Sequence, residues 1–214
     1  RAAETLKMLD ARVVDLTPDT LMIADERTLL GMGGVMGGED SSCTESTTDV
    51  FIESAMFDPV RTARTGRTLG IISDARYRFE RGVDPEFVVP GLELATKLIL
   101  EFCGGEASEV LAAGKAPEWR RTVSFRPVRV KGLAGADVPK PDMIRILTNL
   151  GFETSGTDPM QVKPPSWRGD IEGEANIVEE VARIWGFDKV PPAAMPRPHA
   201  VARPVLTGAQ RRIV

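Results

Sequence analysis

Five glycines fall within eight residues in Gly31-Met32-Gly33-Gly34-Val35-Met36-Gly37-Gly38, and Glu39-Asp40 follows. Glycine permits positive φ and lets the backbone approach a ligand or a neighbouring chain closely. The run therefore dictates either a pair of tight turns at a sheet edge or a loop laid against a bound molecule, and spacing alone favours neither. It is not a Walker loop, because no Gly-Lys-Ser/Thr follows. It also misses GxGxxG, because Met36 takes the last glycine position.

Around this run the first half of the chain reads as short strands at Leu6 to Leu9, Leu21 to Ala24, Thr28 to Met32 and Val50 to Ser54. Glu53 falls on the last of them, where alternation points it to solvent. Asp58-Pro59 predicts a helix start, with Asp as N-cap, and that helix closes at Gly70. A second helix is predicted from Pro85 to Phe102, with Leu94, Leu98 and Phe102 on one stripe and Gly104-Gly105 as its stop.

The second half has a different rhythm. A strand from Thr122 to Phe125 leads into a short helix from Pro127 to Leu133. Lys140 to Leu150 then has helical periodicity, and strand-like pieces follow at Phe152 and at Met160 to Lys163. After the loop Pro164-Pro165-Ser166-Trp167-Arg168-Gly169-Asp170, a last helix is predicted from Glu174 to Trp185, stopped by Gly186. The fold class is α+β. Beyond Pro191 the chain is rich in Pro and Ala and reads as a linker.

Charge separates the halves. Residues 1 to 117 carry 12 basic and 20 acidic side chains, a balance of −8, whereas 118 to 214 carry 15 and 11, a balance of +4. The shift near Gly114 to Pro117 is consistent with a domain boundary there. With 27 Lys and Arg against 31 Asp and Glu, the chain lacks the basic coat of a general nucleic-acid binder. No apolar run approaches a membrane span, and the first residues have no signal-peptide pattern. Cys43 and Cys103 are too few for a disulfide framework and are expected as buried thiols in a reducing cytoplasm. A single histidine, His199, excludes multi-histidine metal sites and most Ser-His-Asp arrangements.

Two further constellations carry possible chemistry. Arg61, Arg64, Arg67, Arg76, Arg78 and Arg81 form a local anion-binding candidate inside an acidic half, set against a solvated helix face with pairs such as Arg78 to Asp84. Asp170, Asn176, Glu179 and Glu180 offer oxygen ligands suited to a hard cation, although an acidic helix face is more often simply solvated.

Five strings, taken in order, resemble the bacterial phenylalanine-tRNA ligase beta subunit family. They are Met32-Gly33-Gly34-Val35-Met36-Gly37-Gly38-Glu39-Asp40-Ser41; Phe51-Ile52-Glu53-Ser54-Ala55-Met56-Phe57-Asp58-Pro59; Ser73-Asp74-Ala75-Arg76-Tyr77-Arg78-Phe79-Glu80-Arg81-Gly82-Val83-Asp84-Pro85; Pro165-Ser166-Trp167-Arg168-Gly169-Asp170; and Ile177-Val178-Glu179-Glu180-Val181-Ala182-Arg183-Ile184-Trp185-Gly186-Phe187-Asp188. The resemblance implies the C-terminal part of a B3/B4 editing module over residues 1–116, a small winged-helix-like B5 domain over 117–192, and a linker over 193–214 toward a catalytic-like module. It implies a cytoplasmic α2β2 enzyme that uses ATP to charge tRNA(Phe), with the alpha subunit as partner. ATP is not expected to bind this chain.

Within the editing module the family hydrolyses tyrosine wrongly attached to that tRNA. The resemblance gives Glu53 the tyrosine hydroxyl, makes Gly34 and Gly37 pocket-lining glycines, and places Ser73 and Ala75 on the opposite wall. Ser73 stands where the family usually has Thr, which keeps the hydroxyl and loses a methyl. A histidine that the family contributes to the editing site has no counterpart here, since His199 lies in the tail. Hydrolysis is expected to use a positioned water and the substrate's own groups. Asp170, Asn176, Glu179 and Glu180 match positions that bind a Mg2+ ion shared with the alpha subunit, with Asn176 in place of the usual Asp. The alternative is a nonenzymatic nucleic-acid-binding or subunit-interaction module, for which Arg120, Arg121, Arg126, Arg129 and Lys131 are the candidate contacts.

Overall fold

The computed structural model describes residues 4–192, 194, 208 and 210–213. His199 and most of the 193–214 segment lie outside the described residues. No helix among the described residues is long and apolar enough to cross a membrane.

In the first half, β1 (Thr5–Lys7) pairs antiparallel with β2 (Val13–Asp15). A second antiparallel sheet has the order β3 (Met22–Ala24), β4 (Leu29–Met32) and β5 (Met36–Gly37). The glycine run thus becomes a strand, a tight turn and a strand. Gly34 sits at φ 68° in that turn, a conformation that disfavours any side chain. A bridge between Met8 and Gly38 ties the two sheets together. Their shared core is small: Leu6, Met8, Met32, Val35 and Ile71.

Three helices follow. In α1 (Pro59–Thr68), the Asp58 carboxylate accepts the Arg61 N–H at 2.8 Å, as expected for an Asp-Pro start. The short α2 (Asp74–Phe79) is capped by Ser73, whose hydroxyl accepts the Arg76 N–H at 3.1 Å. It packs on α1 with Arg76 lying directly over Gly66, where a Cβ would overlap it. Next, α3 (Val88–Cys103) begins later than Pro85, because Asp84 first makes a turn in which its carboxylate accepts the Glu86 N–H. No residue of α3 is buried, and its predicted stripe of Leu94, Leu98 and Phe102 is exposed.

Three expectations fail here. Val50 to Ser54 is irregular and not a strand, since no neighbouring strand supplies ladder partners; Phe51 stands 85% exposed. Cys43 and Cys103 are exposed rather than buried, because one sits in an irregular loop and the other on the last turn of an uncovered helix. Arg78 does not pair with Asp84, whose carboxylate is already engaged in the Asp84 turn.

The second half closes on itself. Antiparallel strands in the order β6 (Val123–Phe125), β8 (Met160–Lys163), β7 (Glu153–Ser155) carry α4 (Val128–Ala134), α5 (Lys140–Asn149) and α6 (Glu174–Trp185). Both α4 and α5 pack against α6. Alternation in β6 points Val123 and Phe125 inward and Ser124 outward. Fifteen buried apolar residues form one core, including Phe125, Leu147, Met160, Val162, Ile177 and Val181.

Candidate functional site

One cavity of about 780 Å³ opens between the glycine turn, the irregular segment before α1, and α2. Gly34 and Gly37 line it from the β4–β5 region, Glu53 and Phe57 from the irregular segment, and Ala75 and Phe79 from α2. On α2 the i, i+4 spacing of Ala75 and Phe79 turns that face to the cavity, whereas Arg76 faces α1. Four of the five sequence-predicted pocket residues therefore converge. Ser73 does not line the cavity: its hydroxyl donates to the Val35 carbonyl at 2.6 Å while capping α2, which fastens one wall to the other.

Phe57 and Phe79 are pocket residues that sequence reasoning missed. Their rings stand 5.2 Å apart at 50°, the tilted contact that aromatic pairs favour. A Cβ on Gly34 would come within 2.9 Å of Phe79 and 3.0 Å of Phe57. That glycine is therefore required by the close approach of the aromatic pair as well as by its positive φ. The available signal was their presence inside two of the singled-out strings.

Glu53 remains accessible to solvent through the cavity, and its carboxylate has no hydrogen-bond or ion-pair partner among the described residues. Loss of part of its water to the surrounding walls pushes its pKa up from the usual glutamate value. A carboxylate in this state gains from any neutral hydrogen-bond donor that enters the cavity.

The four residues singled out for a cation are arranged differently. Asp170 and Glu180 share the Arg168 guanidinium: Nε and one terminal nitrogen donate to Asp170 at 2.8 and 2.6 Å, and Glu180 lies 3.0 Å from the other. Arg183 adds a second contact to Glu180 at 2.6 Å. Hydrogen bonds from Arg168 hold both carboxyls below their usual pKa range, and these bonds raise the arginine in turn. The Asn176 carboxamide oxygen accepts the Gly173 N–H at 3.0 Å and serves the start of α6. Glu179 is exposed and joins neither group. Among the described residues no group of three or more His, Cys, Asp or Glu side chains is placed to hold a metal ion within this chain.

The basic residues at the start of the second half are also engaged. Arg126 and Arg129 pair with Glu174, Lys131 with Asp137 and Arg120 with Glu86, and Arg121 donates to the carbonyls of Ile171 and Arg168.

Comparison with known proteins accounts for both halves. The family model described as the B3/4 domain matches residues 1–104, and that described as the tRNA synthetase B5 domain matches residues 123–187. The chain thus carries an aminoacyl-tRNA synthetase B3/4 domain followed by a B5 domain. Over 99% of its length it is 54% identical to the phenylalanine-tRNA ligase beta subunit of Bradyrhizobium diazoefficiens and 53% identical to that of Paramagnetospirillum magneticum. The corresponding subunit of Rhodospirillum rubrum is 50% identical over the whole chain. The chain belongs to the bacterial phenylalanine-tRNA ligase beta subunit family, and it spans 27% of the length of each of these relatives.

Proposed function

We propose that the cavity receives the aminoacyl group of mischarged tyrosyl-tRNA(Phe), so that this chain supplies much of the editing site of a phenylalanine-tRNA ligase. The observation that carries this reading is the convergence of Gly34, Gly37, Glu53 and Ala75, separated by up to 41 residues in sequence, on one cavity. Tyrosine differs from phenylalanine by a hydroxyl, and an apolar synthetic pocket discriminates poorly against that addition. A second pocket selects the error when it offers an acceptor that only tyrosine satisfies. Glu53 is that acceptor: a phenol donates to it, whereas phenylalanine leaves it unpaired against an apolar ring. Phe57 and Phe79 give the substrate ring an aromatic wall. Hydrolysis itself needs a positioned water and the substrate's own groups, with no side-chain nucleophile assigned.

The second half acts in this proposal as a subunit-contacting B5 domain in an α2β2 cytoplasmic assembly, with ATP consumed elsewhere in the enzyme. In this chain Arg168 neutralises Asp170 and Glu180, so a magnesium site at these residues would depend on the alpha subunit. The reading as a nucleic-acid-binding B5 module is less favoured, because its candidate basic contacts are committed to intramolecular partners.

The test is single-turnover deacylation of tyrosyl-tRNA(Phe) by the assembled ligase carrying Glu53→Ala. Loss of at least about a hundredfold in tyrosine hydrolysis, with phenylalanine charging retained, is expected from removing the hydroxyl acceptor of the cavity. Wild-type deacylation by the variant overturns the assignment. The 214-residue chain alone is expected not to deacylate at a useful rate.

A further inference from the structure

The cavity between the glycine turn and α2 has a single sign of charge. Four of its lining residues are carboxylates, Asp40, Asp49, Glu53 and Asp84, and among the described residues none that lines it is Lys, Arg or His. Asp49 accepts the neighbouring Thr48 hydroxyl at 2.9 Å, and Asp84 is engaged by the Glu86 N–H. None of the four has a cationic partner among the described residues.

Cations are not scarce nearby. Six arginines lie between Arg61 and Arg81, and α2 carries Arg76 and Arg78 beside the lining residues Ala75 and Phe79. Arg76 is turned to the Ile71 carbonyl and Glu80 instead, and Arg81 pairs with Glu80. Arg61, Arg64, Arg67 and Arg78 are exposed and have no ion pair among the described residues, and none of the six lines the cavity. The wall is therefore anionic because the fold turns the available cations elsewhere. Like charges in a cleft with low-dielectric walls add their fields, attract a cation and repel an anion.

We propose that the cavity is a charge filter that takes aminoacyl esters with a free α-ammonium group and discriminates against acyl groups lacking that cation, with Asp40 and Asp49 as specificity-determining residues beside Glu53. It rests on the proposed function for the identity of the ester. Glu53 selects the phenol at one end of the acyl group, and the remaining carboxylates select the ammonium at the other. An ester whose nitrogen is blocked, as in an N-acylated or peptidyl chain, has lost the charge on which this selection acts. The same field acts on the product. Hydrolysis adds water across the acyl–oxygen bond; the ribose oxygen takes one proton, and the new carboxyl group releases the other to solvent as it ionises. The cationic acyl group thus becomes a zwitterion whose carboxylate is repelled by the walls, which favours its release.

The experiment uses the assembled ligase and two esters of the same tRNA: tyrosyl-tRNA(Phe) and its nitrous-acid product, 3-(4-hydroxyphenyl)lactyl-tRNA(Phe). The second keeps the phenol, the chain length and the ester and carries a hydroxyl in place of the ammonium. Each single-turnover rate constant is divided by the spontaneous hydrolysis rate of that ester, which removes their different intrinsic reactivity. The normalised ratio is expected to favour tyrosyl-tRNA by at least about tenfold, the low end of the enrichment a one-sign cleft gives. It falls toward one in Asp40→Asn/Asp49→Asn and is unchanged in Asp19→Asn, at an exposed carboxylate that does not line the cavity. A wild-type ratio near one overturns the filter, as does a ratio that the double Asn variant leaves unchanged with its melting midpoint intact. Glu53→Ala separates the two readings: if it hydrolyses tyrosyl-tRNA like the wild type and still prefers it, the hydroxyl assignment falls and the filter stands. No enzyme-dependent hydrolysis of either ester overturns both.

Discussion

The two halves of the chain spend similar lengths of sequence on very different interiors. The first gathers five buried apolar side chains between two small sheets, and the second gathers fifteen around α6. The first leaves a cavity, unpaired arginines and a 16-residue helix with nothing buried, while the second pairs many of its surface charges and fills its centre. A half that carries an open pocket cannot also use that volume as core. With fewer buried apolar side chains, the first half is expected to be the less stable of the two.

The sharpest way to break this contrast is to separate the halves. Residues 117–192 alone are expected to unfold in one cooperative thermal transition followed by circular dichroism, and residues 1–116 alone to show none and to bind a hydrophobic dye. Cooperative melting of the first half would sink the comparison. The next effect in size concerns Arg168. Arg168→Met leaves Glu180, 6% exposed, with only Arg183 for compensation, and should cost about 2 kcal/mol in urea unfolding of the second half, less than a wholly unpaired buried charge. EDTA should not change the wild-type midpoint; a metal-dependent midpoint would contradict the Arg168 arrangement.

The smallest effect is at Glu53. Its folded pKa lies above the unfolded value, so the folded state binds more protons in the window just above the ordinary glutamate range, and stability falls as pH rises through it. Glu53→Gln removes that loss. The variant should therefore equal the wild type below about pH 4 and be slightly more stable above the window, as read from melting midpoints on the two sides. A variant less stable at neutral pH would show that Glu53 has a stabilising partner.

Much of this architecture was legible in the sequence where the signal is local. The Asp58-Pro59 start, the Gly104 and Gly186 stops, and the periodicity of α5 and α6 each depend on neighbours a few residues away, and each helix lies where those signals put it. Val50 to Ser54 has strand-like composition but a strand also requires a partner, which composition does not encode. The six-residue α2 was too short for periodicity, although Ser73 followed by Asp74 is an adequate start signal. The pocket was legible only by resemblance. Nothing in spacing links Gly34 to Glu53 or Ala75, and the Phe57–Phe79 contact that shapes the wall exists only once α2 docks on α1. The ion pairs of the acidic constellation were not legible for a comparable reason: Arg168, two residues before Asp170, reads in sequence as part of a loop and becomes its counter-ion only in the fold.

Ser73 belongs to neither lining surface, yet it acts as the spacer that gauges the cavity's width. Its hydroxyl grips the Val35 carbonyl of the glycine turn while holding the first turn of the helix that bears Ala75 and Phe79. The distance between the walls is thus fixed by a hydrogen-bond length and not by how tightly apolar groups happen to fill the space. An aperture set in this way keeps its size when the cavity is empty.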